Sequence, residues 1–206
     1  LEEEGLSENT MVIYTSDQGF FLGDHGWYDK RFMYEESLRM PLLAKYPKAI
    51  PAGETRDAIV ACHDFAPTLL DYAGVDRPEA IQGRSARAVL EGETPGDWPQ
   101  TLYYRYWMHL SHHRVASHYG VRDDRYKLIF YYGEALGATN AVDETTPPEW
   151  ELFDLQTDPM EVHSVFDDPA YAEVRDRLLA ELDRLQGHYG DEPRHRPGTF
   201  EPLRSE

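Results

Sequence analysis

A short apolar run that ends abruptly on an acid–amide pair constrains this chain more than any other stretch. Met11-Val12-Ile13-Tyr14 is β-branched and aromatic, the composition of a buried strand. Thr15-Ser16-Asp17-Gln18-Gly19 follows without a spacer. A strand that stops this way delivers oxygen-bearing side chains to the carboxyl edge of a sheet, where open α/β sheets place their ligands. Asp17 and Gln18 offer a carboxylate and an amide carbonyl, suited to a hard divalent cation such as Ca²⁺ or Mg²⁺. Beyond them a glycine-punctuated loop carries one imidazole, His25, and one ammonium, Lys30, both suited to an anionic group. A plain strand with an ordinary acidic turn shares the short signature, so the wider string has to decide.

That string is Ser16-Asp17-Gln18-Gly19, then Leu22-Gly23-Asp24-His25-Gly26, Lys30, and Tyr34-Glu35-Glu36-Ser37-Leu38-Arg39-Met40-Pro41-Leu42-Leu43. It resembles the second half of the type I sulfatases of the alkaline-phosphatase-like superfamily. The resemblance implies that Asp17 and Gln18 complete a metal site, with Ca²⁺ first and Mg²⁺ second. It implies that Lys30 contacts the sulfate or its bridging oxygen. His25 either points into the site as a catalytic group or braces the loop, and Asp24 and Asp29 read as loop-capping acids. The family's nucleophile is a formylglycine made in a Cys/Ser-x-Pro-x-Arg setting. No such motif occurs in this chain, so the nucleophile is expected from a missing N-terminal half. Cys62 lacks that setting and reads as a small buried side chain.

Composition narrows the partners. A net charge of −18, from 38 acidic against 20 basic residues, repels nucleic-acid phosphates and anionic membrane surfaces, so neither is expected. The same field repels a sulfated glycan at long range, so a sulfate site has to work through a metal and a few local cations. The 41% hydrophobic content can fill a core and argues against global disorder. A single cysteine excludes an intrachain disulfide and a cysteine-based zinc motif. No apolar run approaches a membrane span. The chain opens without Met at Leu1-Glu2-Glu3-Glu4 and reads as a piece of a longer protein, so no compartment is assigned.

Met40 to Tyr46 reads as a second buried strand after a helical turn at Glu35–Arg39. A helix is expected from Asp64, near the N-cap, through Pro67 in the first turn to a stop at Gly74. Another runs from Gly83 to Gly92. Gly92 to Pro99 is the best linker, so a boundary is placed near residue 97. Residues 1–97 are then the C-terminal part of the large catalytic domain, 98–190 a small subdomain, and 191–206 a tail. Strands are expected at 102–107, 117–122, 126–132 and 150–155, forming an antiparallel meander. A helix from Pro169 to about Gly187 carries Val174, Leu178, Leu182 and Leu185 at helical spacing and should cover that sheet.

His109, His112, His113 and His118 fall within ten residues, beside Arg114 and Arg122. Zinc binding would need them to converge on one point. The resemblance instead implies that the C-terminal subdomain reaches over the cleft, which makes His112, His113, His118 and Arg122 candidates for substrate binding. Trp107 and Tyr119 are candidates for stacking on a sugar. The style of this segment is similar to the N-acetylglucosamine-6-sulfatase or heparan-type glycan sulfatases.

The expected fold is α/β: the C-terminal part of the alkaline-phosphatase-like sulfatase sheet plus a smaller α+β subdomain with an antiparallel sheet and a C-terminal helix. The expected function is part of a sulfuric ester hydrolase acting on a sulfated sugar or small molecule, inactive without its N-terminal half. A phosphonate or phosphodiester hydrolase of the same superfamily, and a non-catalytic carbohydrate-binding module, are the alternatives.

Overall fold

The computed structural model of the chain describes residues 1–191. The chain divides into two units: Leu1–Gly19 with Arg39–Gln100, and Phe20–Leu38 with the residues from Thr101 on. The described strands are β1 (Val12–Thr15), β2 (Phe21–Leu22), β3 (Tyr28–Asp29), β4 (Leu42–Lys45), β5 (Leu102–Tyr106), β6 (His118–Arg122), β7 (Tyr126–Tyr131) and β8 (Glu149–Asp154). The α-helices are α1 (Glu35–Leu38), α2 (Phe65–Tyr72), α3 (Arg87–Glu91) and α4 (Ala172–Tyr189). Of the expected tail, only Asp191 lies within the described residues.

In the first unit β1 pairs antiparallel with β4, from Val12 opposite Lys45 to Thr15 opposite Leu42. Both were expected as buried strands, and that is corrected. Tyr14 and Leu43, which face each other across the ladder, are each 65% exposed. Among the described residues β1 and β4 form a sheet of two strands, and a ladder that narrow covers neither of its own faces. Cys62 is likewise exposed rather than buried. It starts a single 3-10 turn, Cys62–Asp64, that leads into α2.

Asp64 stands at the N-cap of α2, where it was expected, but its side chain makes no cap bond to that helix and joins two segments instead. Its Oδ2 accepts the Ala61 N–H (3.0 Å) and its Oδ1 the Arg84 N–H (2.8 Å). Thr68 continues the tie: its hydroxyl donates to the Asp64 carbonyl (2.6 Å) and accepts the Ala86 N–H (2.8 Å). These bonds seat the segment before α3 against α2. Ala86, Val89 and Trp98 form the local core, with the Trp98 indole N–H donating to the Ile59 carbonyl (2.9 Å).

The second unit is the expected meander, in the order β5-β6-β7-β8, all antiparallel. Alternation sorts its residues onto two faces. Tyr119, Val121, Leu128, Phe130 and Leu152 pack against Leu178, Leu182 and Leu185 of α4, so the helical stripe read from the sequence covers the sheet. The opposite face carries Ile129, Tyr131 and Phe153, and it is covered by Phe32, Met33, Tyr34 and Leu38. Residues 20–38, grouped with 1–97 by the sequence reading, therefore pack in the second unit.

Gly120 is where that cover sits closest. A Cβ there would lie 2.3 Å from the Leu128 carbonyl oxygen and 2.6 Å from the Met33 sulfur. Overpacking of this kind costs about 1–3 kcal/mol. Gly120→Ala is therefore expected to lower Tm by roughly 3–8 °C, measured by thermal melting. An unchanged Tm would mean that both Met33 and the β7 backbone at Leu128 can give way at no cost.

Candidate active-site elements

The first unit supplies the acid–amide pair. Asp17 and Gln18 stand directly after β1, with one residue, Ser16, between. The Ser16 hydroxyl donates to the Gln18 carbonyl (2.8 Å) and to Asp17 Oδ1 (3.3 Å), shaping the turn. Asp17 is exposed. The Cys62 thiol lies 3.4 Å from the Asp17 carbonyl oxygen. Partial desolvation of the sulfur in this otherwise exposed residue, then the charges of Asp17 and Asp64, push that thiol up, so it stays neutral beside the pair. The donor set is hard and oxygen-rich, which fits Ca²⁺ or Mg²⁺. It is also partial. Ca²⁺ takes about six to eight oxygen ligands, and among the described residues no three His, Cys, Asp or Glu side chains gather into a metal site.

The second unit supplies the ammonium. β2 and β3 form a two-residue hairpin, with Phe21 opposite Asp29 and Leu22 opposite Tyr28. Gly23 (φ 119°) and Gly26 (φ 75°) make the turn in a backbone region open to glycine, and His25 adopts φ 53° between them. Asp24 caps this loop as expected, accepting the Leu22 N–H at 3.4 Å. The His25 ring stacks on Tyr34 (4.7 Å) and meets the Phe21 edge (5.9 Å). Its Nε2 is 3.6 Å from Glu36 Oε2. Lys30 follows β3 directly and is half-buried, and its carbonyl accepts the Ser37 hydroxyl at 2.8 Å.

Asp29, read from the sequence as a capping acid, does something else. It is buried, with φ 151°, and pairs with Arg31 through a short contact. His113 Nε2 lies 3.2 Å from the same carboxylate. Arg31, bonded to Asp29 and close to the Tyr106 hydroxyl, is held above its ordinary value. Thus one histidine of the four joins a carboxylate and a guanidinium that flank Lys30 in the chain. His112 is exposed beside it.

The other two substrate-binding candidates are held by the sheet and its cover. His118 is 0% exposed, its Nδ1 2.8 Å from the Ala116 carbonyl oxygen and its ring stacked against Tyr104 and Tyr106. Burial drives its pKa down to about 4, so the ring is neutral and core-bound. Arg122 is fully engaged: it donates to both Glu35 oxygens (3.0 and 3.1 Å) and to the Asp123 carbonyl (2.7 Å). Register explains both, because His118 and Arg122 share the sheet face that residues 20–38 cover. His109 is also buried, its Nδ1 accepting the Ser117 N–H at 3.0 Å.

With its antiparallel sheet backed by a C-terminal helix, the chain falls in the class of alkaline-phosphatase-like sulfatases, as its likenesses show. The chain matches the family described as N-sulphoglucosamine sulphohydrolase, C-terminal, over residues 23–188, and belongs to that family. It is 48% identical to an N-acetylglucosamine-6-O-sulfatase of Bacteroides thetaiotaomicron, covering 93% of this chain and 32% of that protein. It is 31% identical to PehA of Trinickia caryophylli, a multifunctional alkaline phosphatase superfamily protein, covering 94% of this chain and 39% of the relative. The solved structure of BT4656 in complex with its substrate, D-glucosamine-2-N,6-O-disulfate, is similar with a TM-score of 0.84 and 46% identity, over 98% of this chain and 38% of that one. The chain thus spans about a third of the length of the curated relatives it matches.

Proposed function

We propose that this chain is the C-terminal part of a sulfatase that removes sulfate from a 6-O-sulfated glucosamine. The supporting observation is the 48% identity to a glucosamine 6-O-sulfatase across nearly the whole chain. In this reading Asp17 and Gln18 are two ligands of a Ca²⁺ ion, whose charge, when bound, offsets that of the sulfate oxygens. The Lys30 ammonium donates to the sulfate and stabilises charge as the ester bond breaks. His113, with Asp29 and Arg31, forms a recognition cluster: the carboxylate accepts from sugar hydroxyls while the guanidinium and imidazole donate to them. His112 stands at its margin. His25, held between Phe21 and Tyr34, serves as a brace for the loop. The formylglycine nucleophile comes from residues outside this chain, and the isolated piece does not turn over.

Sulfate release measured on the full-length protein tests this. Turnover of 6-O-sulfated N-acetylglucosamine is expected, abolished by chelation and restored by Ca²⁺. Likeness to a multifunctional superfamily member supports the second reading, so a phosphonate monoester is assayed in parallel. Hydrolysis of the phosphonate with no sulfate release would favour that reading. Sugar binding with no turnover of either would favour a carbohydrate-binding module.

A further inference from the structure

The loop that carries Lys30 has little of its own to hold it. β2 and β3 are two residues each, and an isolated ribbon that short is not stable in water. Its rigidity has to come from what it rests on, and both of its arms rest on one ring. Tyr34 stacks on His25, from the arm before Lys30, at 4.7 Å, and on Phe32, from the arm after it, at 5.6 Å. The edge contacts are to Phe21 at 6.4 Å and to Phe153 of β8 at 5.8 Å. The Tyr34 hydroxyl then donates to both carboxylate oxygens of Glu151, at 3.1 and 3.0 Å. Glu151 is on β8, on the sheet face that the loop covers, directly opposite Ile129.

We infer that Tyr34 and Glu151 are positioning residues for Lys30: the hydroxyl–carboxyl pair fixes the ring on which both arms of the loop close, and so sets where the ammonium is held. This rests on the proposal that Lys30 meets the sulfate. The groups facing Glu151 are Tyr34 from the loop, Tyr131 from β7, Glu149 on its own strand and Glu161 from the turn beyond it. Burial pushes the Glu151 carboxyl up to about 7, against the two tyrosine hydroxyls, and the acids Glu149 and Glu161 add to the rise. The sign follows. A carboxyl raised in the folded state favours the packed loop while protonated, and that support is lost as pH rises through about 7.

Tyr34→Phe keeps the ring and removes the donor; Glu151→Gln keeps the shape and removes the titration. In the full-length protein Tyr34→Phe is expected to lower kcat/KM for the 6-O-sulfated sugar by roughly 10-fold, while Glu151→Gln, a neutral stand-in for the protonated carboxyl that still accepts the Tyr34 hydroxyl, keeps it within about threefold. In Tyr34→Phe, hydrogen exchange should show the amides of Phe20–Leu38 opening at least ~10-fold more readily, with those of β6 and β7 unchanged. In the wild type, loop protection, corrected for intrinsic exchange, should fall between about pH 4.5 and 7 and level off above, and Glu151→Gln should flatten that fall. Wild-type loop exchange and kinetics in Tyr34→Phe, or a pH dependence of loop protection that Glu151→Gln leaves unchanged, would overturn the inference. So would a loss of protection spread evenly over β5 to β8, which would mark a general destabilisation. If the wild type releases no sulfate, the functional reading fails while loop exchange still decides whether the pair holds the loop.

Discussion

Lys127→Met in the full-length protein is expected to lose about 3–5 kcal/mol of folding stability, because it strands buried carboxylates. Lys127, the second residue of β7, is 0% exposed. Its ammonium is 2.6 Å from Glu161 Oε1 and 3.0 Å from Glu35 Oε1. Glu161 Oε2 accepts the Glu35 backbone N–H at 2.6 Å, and Arg122 clasps Glu35 from the other side. Two cations and two carboxylates thus seat α1 on β6 and β7. Burial works to raise Glu35, but the Arg122 hydrogen bonds and the Lys127 charge outweigh it and hold the carboxyl at about 2. Burial keeps Glu161 above its ordinary value even with Lys127 against it.

Removing Lys127 leaves Arg122 alone to offset both acids. Methionine fills the volume, so the loss isolates the charge. A second signature follows from Glu35. A carboxyl lowered on folding contributes stability that is present above pH ~4.5 and lost as pH falls through about 2, on the order of 3 kcal/mol here. That acid-side loss should shrink in Lys127→Met. Urea unfolding at pH 7 and at pH 3 reads both effects. A variant within about 1 kcal/mol of wild type at pH 7 would mean that water replaces the ammonium, and the network would not be what fastens residues 20–38.

The second large effect is catalytic. Lys30→Ala is expected to lower kcat/KM for sulfate release by about 10²–10³-fold, the range for losing one donor aimed at developing charge. The fold should tolerate it: the segment is fastened by Tyr34, Glu35 and the Ser37 hydroxyl on the Lys30 carbonyl, none of which uses the side chain. Steady-state kinetics with a melting curve on the same sample separates the two effects. A drop under about threefold with Tm intact would remove Lys30 from the sulfate.

Much of the frame was legible because local rules suffice for it. The four strands of the meander and the stripe on α4 follow from alternation and helical spacing, and Gly74 and Gly92 stop their helices in the left-handed conformation as expected, whereas α4 runs past the expected end at Gly187 to a left-handed Gly190. The candidate site was legible only as a string. Asp17, Gln18 and Lys30 stand out by resemblance, whereas the role of Asp29 did not, because an acid beside a turn looks the same whether it caps the loop or meets Arg31 and His113. A signal was present in Asp29-Lys30-Arg31, opposite charges two apart on an extended segment, which puts both on one face.

Composition and periodicity established a negatively charged chain with an antiparallel sheet and a covering helix, and resemblance added the α/β class and the acid–amide–lysine signature. The fold alone decided which polar residues are spent inside. His118 and Arg122 look as available in the sequence as His113, yet strand register turns both onto a face covered by residues roughly ninety positions away. Pairing over that separation is set by packing, and no local propensity encodes it.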